Sequence, residues 1–138
     1  MEIKIQDKSN YLKSVLILIG KDGKISQSER KLVLKLSHVL GFDQKFCEEA
    51  MNDLLDNEYI IEDPPIFSNR AIAEAFLKDG MKIAFSDKDL HLYEMNWLKI
   101  VGDKNNISLE WRLQEFEKIQ HAPFQNANDI EFEITKLL

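Results

Sequence analysis

The chain has 138 residues, of which 44% are hydrophobic and 30% charged, and its formal net charge is −6. This length suits one domain that buries about two thirds of its unfolded surface, and five glycines and three prolines are too few for a disordered chain. The longest apolar run, Val15 to Ile19, has five residues, whereas about 20 are needed to span a bilayer, so no membrane insertion is expected.

The first half of the chain predicts three helices. Residues 1–8 are too short a pattern to classify and are expected to form an extended or frayed start. A first helix over 9–21 is apolar around most of its circumference, which indicates burial on nearly all sides. Ser26 begins a second helix, with Glu29 completing a capping box, and Gly41 ends it. Asp43 caps a third helix whose predicted inward stripe is Phe46, Ala50, Met51, Leu54 and Leu55.

The second half predicts three more helices and a C-terminal one. Residues 57–67 contain Pro64 and Pro65 and read as a linker. Ser68 begins a fourth, nearly wholly buried helix that reaches about Phe85, and a fifth follows over about 91–104. Ser108 caps a sixth, and a last helix covers 128–138, although its apolar residues also fit strand alternation. The side chains predicted to face inward in the fifth and sixth helices are Leu92, Met95, Leu98 and Val101, or the neighbours Trp97 and Ile100, and then Trp111, Phe116 and Ile119.

One pattern occurs twice. The stretch KDGKISQSE at 21–29 returns as SDKDLHLYE at 86–94, which gives D-x-x-[IL]-x-x-x-E in each copy. We call the number of positions from Lys21 to Ser86 the repeat offset. Apolar residues on both sides of the first copy also align with apolar residues one repeat offset later. The sequence therefore predicts a single all-α domain, a bundle of about seven helices. It consists of two pseudo-repeated three-helix units, over about 9–56 and 68–120, plus the C-terminal helix.

The repeated loop is a candidate cation site. It matches the second half of an EF-hand loop, but apolar residues and a glycine stand where the first ligands should be, so an EF-hand is rejected. The carboxylates of the two loops could still hold Ca²⁺ or Mg²⁺, and the candidate ligands are Asp22, Glu29, Asp87, Asp89 and Glu94. The alternative is structural, because glutamates at these positions also cap helix N-termini.

Charge is unevenly distributed along the chain. Residues 4–35 have a local balance of +5, whereas residues 43–63 have a balance of −7. The third helix carries an acidic row that is a candidate surface for a basic protein partner, formed by Glu48, Glu49, Asp53 and Asp56. An ordinary solvated helix face is the alternative. The same acids would repel phosphate, so nucleic-acid binding through the second and third helices is not expected.

No catalytic motif is present. The chain has neither a phosphate-binding G-x-x-x-x-G-K-[ST] loop nor a G-x-S-x-G nucleophile elbow. Cys47 has no motif-linked histidine and is expected to be an inert, partly buried thiol. A single cysteine cannot form an internal disulfide, and residues 1–8 lack a signal-peptide pattern, so a reducing cytoplasm is the expected location.

The duplicated motif, with an apolar helix before it and an amphipathic helix ending in GF or NI after it, resembles the TerB family of tellurite-resistance proteins. The resemblance covers about residues 11–119, and the second copy departs from the family pattern in lacking the glycine. It implies an all-α, cytoplasmic, non-enzymatic protein of the stress-response type that binds a divalent metal or a protein partner. If a metal binds, the resemblance implies that its ligands are Asp22, Glu29, Asp87 and Glu94. A metal-free interaction module that docks a basic partner on residues 43–63 is the alternative.

Overall fold

The computed structural model describes residues 3–20, 24–56, 63–86, 92–122 and 128–138, and within these ranges all regular secondary structure is helical. The α-helices are α1 (Ile5–Ile19), α2 (Gln27–Val39), α3 (Gln44–Asp56), α4 (Arg70–Ala84), α5 (Leu92–Lys104) and α6 (Leu109–His121). A short 3-10 helix, Glu133–Leu137, lies in residues 128–138, which we call the C-terminal segment. The predicted all-α class is thereby confirmed for the described residues, none of whose helices is long and apolar enough to cross a membrane.

Helices α1 and α4 form the centre of the bundle. The helix α1 packs against α2, α3, α4 and α5, while α4 contacts α1, α2, α5, α6 and the 3-10 helix. Val15 and Leu18 of α1 and Phe76, Leu77 and Ile83 of α4 are fully buried. The prediction that these two helices are buried on nearly all sides is confirmed, and both contribute to one continuous core.

The bounds of the six helices show a regularity. Each of α1, α2 and α3 begins and ends one repeat offset before α4, α5 and α6, respectively. α2 and α5 also end in the same kind of turn, in which the N–H of Phe42 or Ile107 donates to the carbonyl five residues earlier over 2.9 Å. The preceding residue has positive φ in both turns, 87° at Gly41 and 58° at Asn106. Glycine and asparagine adopt this left-handed conformation at the least cost.

Helix caps explain where several helices begin. Glu29 N–H donates to Ser26 Oγ over 3.1 Å, and Ser26 N–H donates to Glu29 Oε1 over 2.9 Å, so the predicted capping box is confirmed. Ser108 caps α6, as predicted, by accepting from Trp111 N–H. α4 begins slightly later than predicted, because Asn69 and not Ser68 is its N-cap.

The expectation of an extended or frayed start is wrong for residues 5–8, since α1 begins at Ile5. Residues 3 and 4 have no regular secondary structure, and residues 1 and 2 lie outside the described ranges. Asp7 in the first turn of α1 accepts hydrogen bonds from both the backbone N–H and the hydroxyl of Ser68. Ile3 is also buried. The hydrogen bonds between Asp7 and Ser68 join residues 61 positions apart. Such long-range contacts cannot be predicted from the periodicity of the first eight residues.

The prediction of a helix over 128–138 is also wrong. The five residues from Glu133 to Leu137 form a 3-10 helix, and residues 130–132 before them have no helical structure. Ile130, Phe132 and Ile134 are buried at alternate positions, and this pattern matches the alternation that the sequence also offered. The backbone at Phe132 is extended, and no strand pairs with the segment in the described ranges.

Two predicted inward stripes are partly wrong. In α3, Phe46 is 56% exposed, whereas its neighbour Cys47 and Met51 are fully buried. In α5, Leu92 is 78% exposed and Ile100 38% exposed. Where apolar residues occupy adjacent positions, several rotations of a helix place an apolar stripe inward, and the packing of the neighbouring helices selects among them.

The two tryptophans differ in burial. Trp97 is buried as predicted, and its indole N–H donates to Ser14 O over 3.0 Å. The predicted inward residues of α6, Trp111, Phe116 and Ile119, are only partly buried, and α6 has no fully buried residue. α6 therefore lies at the edge of the bundle.

The described part of the linker, residues 63–67, has no regular secondary structure, whereas residues 57–62 lie outside the described ranges. The side chain of Asn105 holds this stretch. Its Oδ1 accepts from Phe67 N–H and its Nδ2 donates to Pro65 O, both over 2.8 Å. The chain entering α4 is thus attached to the turn after α5.

Candidate functional site

The predicted metal ligands are only partly in view. Asp22, Asp87 and Asp89 lie outside the described residues. Glu29 and Glu94 are both buried, at 4% and 3% exposure, and each is the third residue of its helix. Among the residues that the structure describes, no group of three or more His, Cys, Asp or Glu side chains could hold a metal ion. The cation site predicted from the sequence therefore stays a prediction.

Glu29 already has a structural role. Its Oε1 accepts the Ser26 N–H in the capping box, which satisfies a backbone donor at the start of α2. The structural alternative suggested by the sequence, helix capping, is thus present at Glu29.

The acidic row of α3 lies on the surface. Glu48, Glu49 and Asp53 are exposed, and none of them forms an ion pair with another described residue. The side chain of Asp56 lies outside what the structure describes. Phe46 lies three residues before Glu49 and seven before Asp53, so the three side chains share one stripe of the helix. The outer face of α3 therefore presents an aromatic ring beside two carboxylates.

Asp79 of α4 is a buried acid, 0% exposed, that is not among the predicted site residues. Its Oδ2 accepts from Tyr11 Oη–H over 2.5 Å and from Ile134 N–H over 3.2 Å, and its Oδ1 accepts from Glu133 N–H over 2.7 Å. The available signal was a carboxylate inside a helix predicted to be buried on nearly all sides. Such a group must have polar partners, because burying it without them is very costly.

Burial and neighbouring groups shift the pKa values of Asp79, Tyr11 and Glu133. Burial raises the pKa of Asp79 to about 6, although the hydrogen bonds from Tyr11 and the two backbone amides act in the opposite direction. Burial, followed by the charge of Asp79, raises the pKa of Tyr11. Burial also acts to raise the pKa of Glu133, but hydrogen bonds from Lys136 and Lys82 outweigh it and leave this pKa lowered.

Asp79 holds the C-terminal segment and is not placed for catalysis. It supplies acceptors to the first N–H groups of the 3-10 helix, which have no partner within that helix. Lys82 Nζ donates to Glu131 O over 2.8 Å and pairs with Glu133 over 3.1 Å, and Lys35 Nζ donates to the carbonyl of Ile130. Tyr11 and Asp79 are at most 1% exposed, so a substrate has no access to them.

The α3 face is therefore the candidate functional surface. Its residues lie on a helix whose opposite side is buried through Cys47 and Met51. Comparison of the chain with protein-family models, curated proteins and solved structures gave no match. The resemblance to the TerB family accordingly stays a prediction.

Proposed function

We propose that the chain is a cytoplasmic, non-enzymatic module of the TerB type that binds a protein partner through the outer face of α3. The proposal includes the duplicated three-helix architecture. It is supported by helix bounds that recur after one repeat offset, and by the matching turns at Gly41 and Asn106. In this reading, stress-response assemblies of the tellurite-resistance type supply the partner.

The observation that carries the proposal is the exposure of Phe46. A phenylalanine that is 56% exposed leaves a large apolar area in water, and here it lies on one stripe with Glu49 and Asp53. An apolar ring flanked by carboxylates is complementary to a segment that has both aliphatic and cationic side chains. The partner surface is therefore expected to be basic and partly apolar.

A binding measurement tests this surface. The probe is a fluorescein-labelled peptide of Lys and Leu that forms an amphipathic helix, titrated with the protein at several salt concentrations. Glu49→Lys combined with Asp53→Lys should weaken binding and reduce its salt dependence, because attraction between exposed charges is screened by salt. Phe46→Ala should weaken binding with little change in salt dependence.

The control places the same charge change on another helix. Glu110→Lys with Glu117→Lys alters two exposed acids of α6. If this variant loses as much affinity as the α3 variant, the peptide responds only to net charge. The α3 face would then not be a docking site.

A divalent-cation role is the second candidate, and one observation favours it. Glu29 and Glu94 are buried carboxylates at the third position of α2 and α5, and in the sequence they follow Asp22 and the pair Asp87 and Asp89, respectively. Hard cations such as Ca²⁺ and Mg²⁺ bind through carboxylate oxygens. In this reading the two repeated loops supply the ligands together.

Thermal unfolding of chelator-treated protein in the presence of Ca²⁺ or Mg²⁺ tests the cation role. A metal that binds only the folded state raises the unfolding midpoint. The rise should disappear in Asp22→Asn combined with Asp87→Asn, which leaves the Glu29 capping box intact. An unchanged midpoint at millimolar metal, or an equal rise in the variant, would exclude these ligands.

A further inference from the structure

A groove lies between α5 and α6, above α4, with a volume of about 340 Å³. Its rim is formed by Leu92, Leu109 and Leu113, which are 78%, 59% and 57% exposed. Met81, Met95 and Phe116 line it further in. Three leucines around one depression, each more than half exposed, form a contiguous apolar surface of a kind that commonly marks an interaction site.

The fold itself does not require this apolar surface. At the positions one repeat offset earlier, the rim leucines are replaced by Gln27, Gln44 and Glu48, all of them polar. The helices α2 and α3 pack against each other, whereas α5 and α6 make much less mutual contact and both pack against α4. The groove is thus a feature of the second three helices alone.

Arg112 explains why α5 and α6 stand apart. The corresponding residue in α3 is the small, buried Cys47, which lies against Ser37 of α2. Arg112 instead lies across Gly102 of α5, with its Cδ 2.7 Å from where a Cβ on residue 102 would be. Its guanidinium donates to Asp103 over 2.7 Å. A long side chain between the two helices therefore acts as a spacer, and glycine at 102 makes room for it.

We propose that this groove binds an acidic amphipathic helix of a partner protein. Among the described residues, the only charged side chains that line it are Lys99 and Arg112. Arg112 is already paired with Asp103 over 2.7 Å, so Lys99 is the cation that remains for an occupant. An occupant with carboxylates beside its apolar stripe matches this charge. A helix laid in an apolar groove also covers the exposed rim, which a single alkyl chain inside the cavity would leave in water. The flexible side chains of Met81 and Met95 can adapt to such a stripe.

Charge also argues against a second copy of this chain as the occupant. If two grooves faced each other about a twofold axis, the Lys99 cations of both copies would come close together, and like charges repel. The proposal concerns α5 and α6 and is independent of the surface proposed on α3.

A synthetic helix tests the groove. The probe is a fluorescein-labelled peptide of Leu, Ala and Glu with Leu at positions i, i+3, i+4 and i+7, and its binding is followed by fluorescence anisotropy. Leu109→Gln combined with Leu113→Glu introduces the residues found at the corresponding positions of α3, at exposed sites where folding should be retained. We expect this variant to bind the peptide about tenfold more weakly or worse.

Lys99→Glu tests the charge. It should weaken binding of the Glu-containing helix and strengthen binding of the same helix with Lys in place of Glu. Ile5→Ala on α1 is the matched control for loss of an exposed apolar side chain, since Ile5 is 73% exposed and lies outside the groove, and it should leave the affinity unchanged. Circular dichroism verifies that each variant is folded.

Several results would overturn the proposal. Absence of saturable binding at millimolar peptide, or equal binding of a scrambled peptide of the same composition, would show that the groove does not recognise a helix. Saturable binding of dodecanoate in place of the peptide would identify a small amphiphile as the occupant. Self-association of the protein that disappears in the Leu109 and Leu113 variant would identify a second copy.

Discussion

Replacing Asp79 with asparagine tests the energetic cost of the buried carboxylate. Burial raises the pKa of Asp79 from 3.8 to about 6, so the folded protein holds this proton more tightly than the unfolded chain. The stability contributed by a group with a raised pKa is fully present below pH 3.8 and is lost as the pH rises through about 6. At about 1.4 kcal/mol per pKa unit, the loss amounts to about 3 kcal/mol.

Asn has no charge to titrate, so the difference in unfolding free energy between the natural protein and Asp79→Asn should depend on pH. We expect this difference to fall by about 3 kcal/mol between about pH 4 and about pH 7. The carboxylate of Glu133, whose pKa is lowered, contributes with the opposite sign in both proteins and cancels in the difference. Urea unfolding followed by far-ultraviolet circular dichroism measures both free energies.

The same replacement at an exposed acid of α3, Asp53→Asn, is the control for a change from Asp to Asn as such. A difference for Asp79→Asn that grows with rising pH would show that folding lowers the pKa of Asp79 and does not raise it. It would mean that the hydrogen bonds from Tyr11 and from the amides of Glu133 and Ile134 outweigh burial. The ¹³C shift of the Asp79 carboxyl, followed by NMR during a pH titration, gives the sign independently.

Three further experiments test one helix cap and the core. Ser26→Ala removes the acceptor for Glu29 N–H and should lower the unfolding free energy by about 1 kcal/mol, with faster amide exchange in the first turn of α2; an unchanged exchange rate would contradict the cap. Gly80→Ala places a Cβ 2.7 Å from Leu98 Cδ2. The resulting overpacking should lower the unfolding free energy, measured in urea, by about 1–3 kcal/mol in spite of the better helix propensity of alanine. A gain in stability would show that the Leu98 side chain moves aside freely. The Cys47 thiol is fully buried and its pKa is raised by burial, so it should react with a thiol reagent only in urea, whereas rapid reaction of the folded protein would contradict its burial.

The helices and several of their ends could be predicted from sequence because their signals are local. Ser26 with Glu29, and Gly41 with its turn, are determined by residues a few positions apart. The start of α1 and the path of the C-terminal segment could not be predicted in this way. They depend on hydrogen bonds between residues far apart in the chain. Asp7 and its partner are 61 residues apart, and Asp79 is at least 54 residues from each of its partners.

The functional surfaces show a similar division. The acidic row of α3 could be read from composition, but the position of Phe46 beside it depends on how α3 is rotated against its neighbours. The groove could not be predicted from the sequence, because the spacing of Leu92 and Leu109 fits a buried helix face as well as an exposed one. The distinction depends on the separation of α5 and α6, between which the side chain of Arg112 lies against Gly102.

The attachment of the C-terminal segment has a consequence for how the protein is made. On the ribosome, Asp79 is synthesised 54 residues before Glu133, whose amide it accepts in the finished structure. Until the C-terminal segment has left the exit tunnel, Asp79 lacks both amide donors and the surface later covered by Ile130, Phe132 and Ile134 is open to water. The bundle is therefore expected to close only after that segment has emerged, and the nascent chain is a candidate for chaperone binding during that interval.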